Sequence, residues 1–94
     1  MYVRLVHPKP RPGQAEEYAR RWKEILAPRA QGLPGFRAAY FVGDREANTV
    51  HALFLWDSKP DGALDQAMDE FRARCRDITL GPAEREDYEV LAEA

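Results

Sequence analysis

Few side chains in this sequence are suited to chemistry, and its two histidines, His7 and His51, come first. An unperturbed imidazole titrates near neutrality, so His7 is the candidate general base, able to take the proton of a phenolic hydroxyl. Its plainer role is a strand-end residue bonded to backbone or water ahead of Pro8, Pro10 and Pro12. His51 reads as a surface or interface residue. Trp56 is expected as a structural anchor whose indole N–H is free to donate to a ligand oxygen. Tyr40 suits core packing, the wall of a cavity or an interface. Phe54, Trp22, Met68 and Phe71 read as core between helix and sheet, from which any pocket would borrow its walls. Cys75 sits among apolar helix positions and reads as a small buried hydrophobe rather than a nucleophile.

Several chemistries receive no support. There is no Cys-x-x-Cys or His-x-x-x-His spacing, so no metal site is expected, and one cysteine excludes an intrachain disulfide. No Ser-His-Asp set, glycine-rich phosphate loop or paired-carboxylate constellation is present, and no cofactor is implied. The 14 basic and 16 acidic residues are interspersed, net charge −2. That balance disfavours nucleic acid, which demands a strong basic excess. Arg72, Arg74 and Arg76 are bracketed by Asp69, Glu70 and Asp77, and are expected to form a solvated helix face with local ion pairs. No apolar run reaches the roughly 20 residues of a membrane span. The opening Met-Tyr-Val-Arg-Leu-Val reads as strand rather than leader, and with one free thiol it suggests the cytoplasm.

The elements that would position these groups follow from periodicity. Val3, Leu5 and His7 alternate with Tyr2, Arg4 and Val6, as in a strand that the three prolines end. Pro12-Gly13 leads into a helix with Tyr18, Ala19, Trp22, Ile25 and Leu26 on one stripe. Gly32-Leu33-Pro34-Gly35 breaks it. Extended runs over roughly 36–42 and 49–56 flank a polar turn and form a hairpin. Asp61 is placed to cap a second helix carrying Leu64, Ala67, Met68, Phe71, Cys75 and Ile78. A weak peripheral strand is expected over 87–91.

The order strand, helix, strand, strand, helix, strand makes residues 1–94 a single α+β domain of ferredoxin-like βαββαβ type. Two helices would cover one face of a four-stranded antiparallel sheet. Arg4 is expected to avoid the core, which places Val3, Leu5 and His7 toward the helices. With the first and third strands adjacent and taken as parallel, His7 would stand near Phe54 to Trp56. Phe36, Ala38, Tyr40 and Val42 share one side of their strand, Ala39 and Phe41 the other; on the next, Val50, Ala52, Phe54 and Trp56 oppose His51, Leu53 and Leu55. Both faces are therefore apolar. A 94-residue chain buries only about 60–65% of its unfolded surface. The expected remedy is a homodimer through the sheet face.

Leu33-Pro34-Gly35-Phe36-Arg37, followed by a strand, turn and strand ending Leu55-Trp56-Asp57-Ser58, resembles the antibiotic biosynthesis monooxygenase family, and the Pro12-Gly13 helix entry fits as well. The resemblance implies a dimeric α+β barrel. Enzymatic members of that family oxidise polycyclic aromatic compounds with molecular oxygen and no cofactor, or degrade haem. The haem-degrading branch has an Asn on the first strand and a Trp and a haem-ligating His on the second helix. Here the first strand has no Asn, and Asp65 and Cys75 stand at the matching helix positions. Haem degradation is thus disfavoured. The expected function is cofactor-independent monooxygenation of a small aromatic or quinol-like molecule. The alternative is a non-catalytic barrel that binds a small hydrophobic ligand or serves a stress or regulatory role.

Overall fold

A computed structural model describes residues 1–94. Four strands, β1 (Tyr2–His7), β2 (Phe36–Asp44), β3 (Thr49–Trp56) and β4 (Glu84–Glu89), form one sheet in the order β2-β3-β1-β4. Every neighbouring pair is antiparallel. Helices α1 (Ala15–Arg21), α2 (Ala27–Gln31) and α3 (Gly62–Ala73) supply the layer on one face. The βαββαβ order is as expected. The last strand starts earlier than periodicity suggested and ends before Leu91.

Local chemistry explains the boundaries. Asp61 caps α3 by accepting from the Ala63 N–H at 2.9 Å. Gly35 holds φ +83°, a left-handed conformation in which a side chain would be strained. It turns the chain into β2, and its carbonyl accepts from Asp57 N–H at 2.8 Å. The Leu-Pro-Gly-Phe and Trp-Asp-Ser segments are thus neighbours, and what they encode together is the joining of β2 to β3.

Between α1 and α2 the backbone widens into a π turn over Trp22–Leu26, where Ala27 N–H reaches back to the Trp22 carbonyl. Pro28 accounts for it. In a regular α-helix its ring would collide with the Glu24 carbonyl four residues earlier, and the proline has no N–H to offer. The extra residue relieves that crowding, and such turns recur at functional sites.

Which side chains face the helices differs from the expectation at three points. Arg4 points inward and is buried at 4% exposure, together with Val6, while Val3, Leu5 and His7 lie on the opposite face. A guanidinium is tolerated there because two acids enclose it. Its Nε and Nη2 donate to Asp87 at 2.7 and 2.9 Å, and its Nη1 donates to Asp65 at 2.6 Å. Burial works against the charge, but these hydrogen bonds outweigh it and hold the group cationic. The second difference is a bulge between Phe36 and Ala38, which leaves Arg37 unpaired. It moves Phe36 to the helix side with Ala39 and Phe41, and leaves Ala38, Tyr40 and Val42 outside. Third, β1 and β3 are antiparallel, with Tyr2 opposite Trp56 and Val6 opposite Ala52. His7 therefore lies at the end of β3 away from Phe54 to Trp56.

The Arg4 cluster ties β1, β4 and α3 together, and acid should loosen it. Hydrogen bonds from Arg4 hold Asp87 below the ordinary carboxylate range despite partial burial. Its stabilising effect is complete above the unfolded carboxylate pKa of about 4 and is lost as pH falls toward the lowered folded value. Asp87→Ala should cost about 3 kcal/mol at pH 7, because it strips a buried cation of one partner. It should also flatten the fall in stability below about pH 4. Urea unfolding of both proteins between pH 2.5 and 7 measures this, and an equal loss of stability on acidification in both would contradict it.

Candidate functional site

The space between sheet and helices is not completely filled. A cavity of about 90 Å³ remains, with Val6, Ala52 and Phe54 supplied by the sheet, Tyr18, Trp22 and Leu26 by the first helical segment, and Met68, Phe71 and Cys75 by α3 and the residues after it. The π turn sets one wall, since Trp22 and Leu26 are its first and last residues. The rings are locked by one another: Trp22 packs on Phe54 with centroids 5.8 Å apart, and Tyr18 meets Phe71 edge to face at 5.4 Å. Phe41 of β2 stacks on Tyr18 at 5.7 Å, closing the layer.

Little within these walls ionises near neutrality. Burial pushes the Tyr18 phenol well above its ordinary range, so it is neutral throughout the physiological span. Burial likewise raises the Cys75 thiol, and the residue is only 1% exposed, so the thiol is inert. The Trp22 indole N–H is buried without an acceptor. Leaving a buried donor unpaired costs on the order of 1–3 kcal/mol, which marks Trp22 as a residue with an unmet preference for an acceptor.

Charged side chains complete the lining where the cavity meets solvent. Lys9, Arg72 and Arg85 stand there with one acid, Asp69, and all four are exposed. The expected local ion pairs of the arginine run do not form. Asp69 lies 3.5 Å from Arg85, Asp77 pairs with Arg21 at 2.8 Å, and Glu70 pairs with Arg29. Each bracketing acid is taken by a cation distant in sequence, which leaves Arg72, Arg74 and Arg76 without a carboxylate within 4 Å. Sequence proximity was the only signal for those pairs, and the fold overrides it.

Of the residues expected around a pocket, Trp22, Phe54, Met68 and Phe71 meet at this cavity, whereas His7, Trp56 and Tyr40 do not. Trp56 is buried at 2% and sits edge to face on Phe36 at 5.6 Å, an anchor within the core. Its indole N–H also lacks an acceptor. Tyr40 is 57% exposed on the far side of the sheet. His7 is on that far side too, where its Nδ1 lies 2.9 Å from His51 Nδ1 and its Nε2 lies 2.6 Å from Glu86. Tyr88 donates to the other oxygen of Glu86 at 2.5 Å. These bonds from Tyr88 and His7 hold Glu86 below the usual carboxylate range. Because the carboxylate takes the Nε2 proton, the two facing Nδ1 atoms share one proton between them. Tyr18, missed as a wall residue, was legible as part of the helix stripe. Arg72 was not.

Across the open face, Tyr40, Val42 and Tyr88 are each at least half exposed, with the partly buried Val3, Leu5, Leu53 and Leu55 between them. No helix of the chain is long and apolar enough to cross a membrane.

No protein-family model matches this chain, and no curated protein sequence matches it either. Solved structures do. Rv0793 from Mycobacterium tuberculosis superposes with a TM-score of 0.73 at 16% identity, over 99% of this chain and 97% of that one. A provisionally named antibiotic biosynthesis monooxygenase from Bacteriodes thetaiotaomicron VPI-5482 gives 0.70 at 23% identity, covering 97% and 90%. Another structure described as antibiotic biosynthesis monooxygenase gives 0.71 at 10% identity, covering 98% and 100%. At such identities the likeness is one of fold: the chain carries, end to end, the α+β fold of the antibiotic biosynthesis monooxygenases.

The Cys75 environment gives a direct check. Ellman's reagent at pH 8 should modify the native chain at least about 100-fold more slowly than the urea-unfolded chain. Equal rates would mean that the α3 side of the cavity is open to solvent.

Proposed function

We propose that this chain binds a small aromatic molecule in the cavity between its helices and sheet and oxidises it with dioxygen, as a cofactor-independent monooxygenase. The observation that carries the reading is the aromatic-walled void itself, set within a fold shared with proteins named for that activity. Walls of Trp22, Phe54 and Phe71 favour a flat apolar ring and exclude water from its faces. An electron-rich phenol or quinol can itself reduce dioxygen. One oxygen atom enters the ring, the other leaves as water, and the ring is left as a quinone that has given up the balancing electrons and protons.

His7 stands across the sheet from this void, so within one chain it is not placed to take a proton from a ring held there. The second reading, a barrel that binds such a molecule without turning it over, draws support from the neutral Tyr18 and Cys75: neither buried titratable wall group is a base near pH 7.

The reading includes a partner, a second copy of this chain seated on the open sheet face. Exposed aromatic and aliphatic side chains on three strands exceed what a soluble monomer ordinarily leaves in water. Two sheets packed face to face would bury the roughly 800 Å² per partner of a standard interface. The His7, His51, Glu86 and Tyr88 network would then lie at that interface. A cytoplasmic setting suits the single, unpaired thiol.

Oxygen uptake with a panel of single-ring quinols tests the chemistry. Wild type should consume oxygen above buffer, and His7→Ala should do so equally. Ala52→Val, which adds two methyl groups to the void, should lower uptake at least about tenfold. No uptake by wild type with any quinol would remove the oxidation and leave ligand binding. Full uptake by Ala52→Val would remove this cavity as its seat.

A further inference from the structure

We infer that the cavity selects a single-ring ligand bearing an anionic oxygen, a carboxylate or phenolate, and that Arg72 is the residue that selects it. The inference rests on the reading of the cavity as a ligand site and narrows the class of molecule it takes.

Size sets the first limit. An engineered apolar cavity of about 150 Å³ accommodates benzene, and the void here is smaller, about 90 Å³. Its walls are rings in mutual contact, so a second fused ring could enter only by driving Trp22 and Phe54 apart from their 5.8 Å packing. One ring is the most the cavity takes with small adjustments of its walls.

Charge sets the second. Three cations and one carboxylate line the solvent side. Two of the cations are partly answered: Lys9 lies 3.5 Å from Glu84, and Arg85 lies 3.4 Å from Asp65 and 3.5 Å from Asp69. Arg72 is not answered at all, and its guanidinium makes no hydrogen bond within the chain. It projects from α3 one residue beyond Phe71, a cavity wall. Phe71 and Arg72 both line the cavity, so a ring held there has an unpaired planar cation among the groups on its solvent side. A guanidinium offers two parallel N–H donors that match a carboxylate, and it stabilises a phenolate by charge. Because this end is exposed, the contribution is a selection of about tenfold rather than the whole affinity. For a phenol the same cation favours the ionised form, the form that reduces dioxygen, so no buried base is required.

Three probes separate the arms: benzoate, benzyl alcohol and 2-naphthoate, each titrated by NMR into wild type and Arg72→Gln at low and high salt. Arg72 is exposed and unpaired, so the variant should fold as wild type does, which its circular dichroism checks. Benzoate should bind about tenfold more tightly than benzyl alcohol and lose that advantage in Arg72→Gln and in high salt, while benzyl alcohol is unaffected by either. 2-Naphthoate should bind at least about tenfold more weakly than benzoate. Benzyl alcohol binding as well as benzoate, or benzoate unaffected by Arg72→Gln, would overturn the anion selection while leaving the cavity a ligand site. 2-Naphthoate binding as tightly as benzoate would overturn the single-ring limit. If no probe shifts a resonance of the cavity walls at millimolar concentration, the ligand-site reading fails along with the inference.

Discussion

One constraint shapes this molecule: its β2–β3 hairpin is apolar on both sides, and the chain has helices for only one. β3 alternates Val50, Ala52, Phe54 and Trp56 against His51, Leu53 and Leu55, and only the first set is buried by the chain itself. At about 25 cal/mol per Å² of apolar surface, the helix-side set drives the docking of α1, α2 and α3. The other set has nowhere to go within 94 residues. The two faces thereby acquire different work, the inner one enclosing a void and the outer one presenting a surface that a second copy would satisfy.

The inner layer is not uniformly apolar, and its exceptions are where the site arises. Arg4 enters the layer because Asp65 of α3 and Asp87 of β4 both turn toward it, tying β1 to both elements. Pro28 forces the π turn, which shifts the helix beyond it by one residue relative to Trp22 and α1. Large rings then meet without filling the space among them. The cavity follows from these packing conflicts.

Periodicity in the sequence was enough for the element order, the antiparallel sheet with helices on one face and most of the core, because strongly patterned segments such as Leu64 to Cys75 leave one arrangement. The faces of β1 are not legible from alternation: a charged side chain argues against its own face, yet Arg4 is buried by acids 61 and 83 residues away. The side of Phe36 is hidden because a single bulged residue, Arg37, inverts everything before it. The place of His7 differs because β1 and β3 pair antiparallel rather than parallel. Trp22, Phe54, Met68 and Phe71 were legible as a group since each lies on an inward stripe. The free guanidinium of Arg72 was not, because its nearest acids in sequence are held by Arg21, Arg29 and Arg85.

The open sheet face calls for a second copy to cover it, and mass in solution addresses that directly. Sedimentation equilibrium at micromolar concentration should report a particle of about twice the 10.8 kDa chain mass. Replacing Leu53 and Tyr40 together by lysine should bring it down to the single-chain mass. A wild-type protein that stays soluble and sediments at 10.8 kDa would contradict the account.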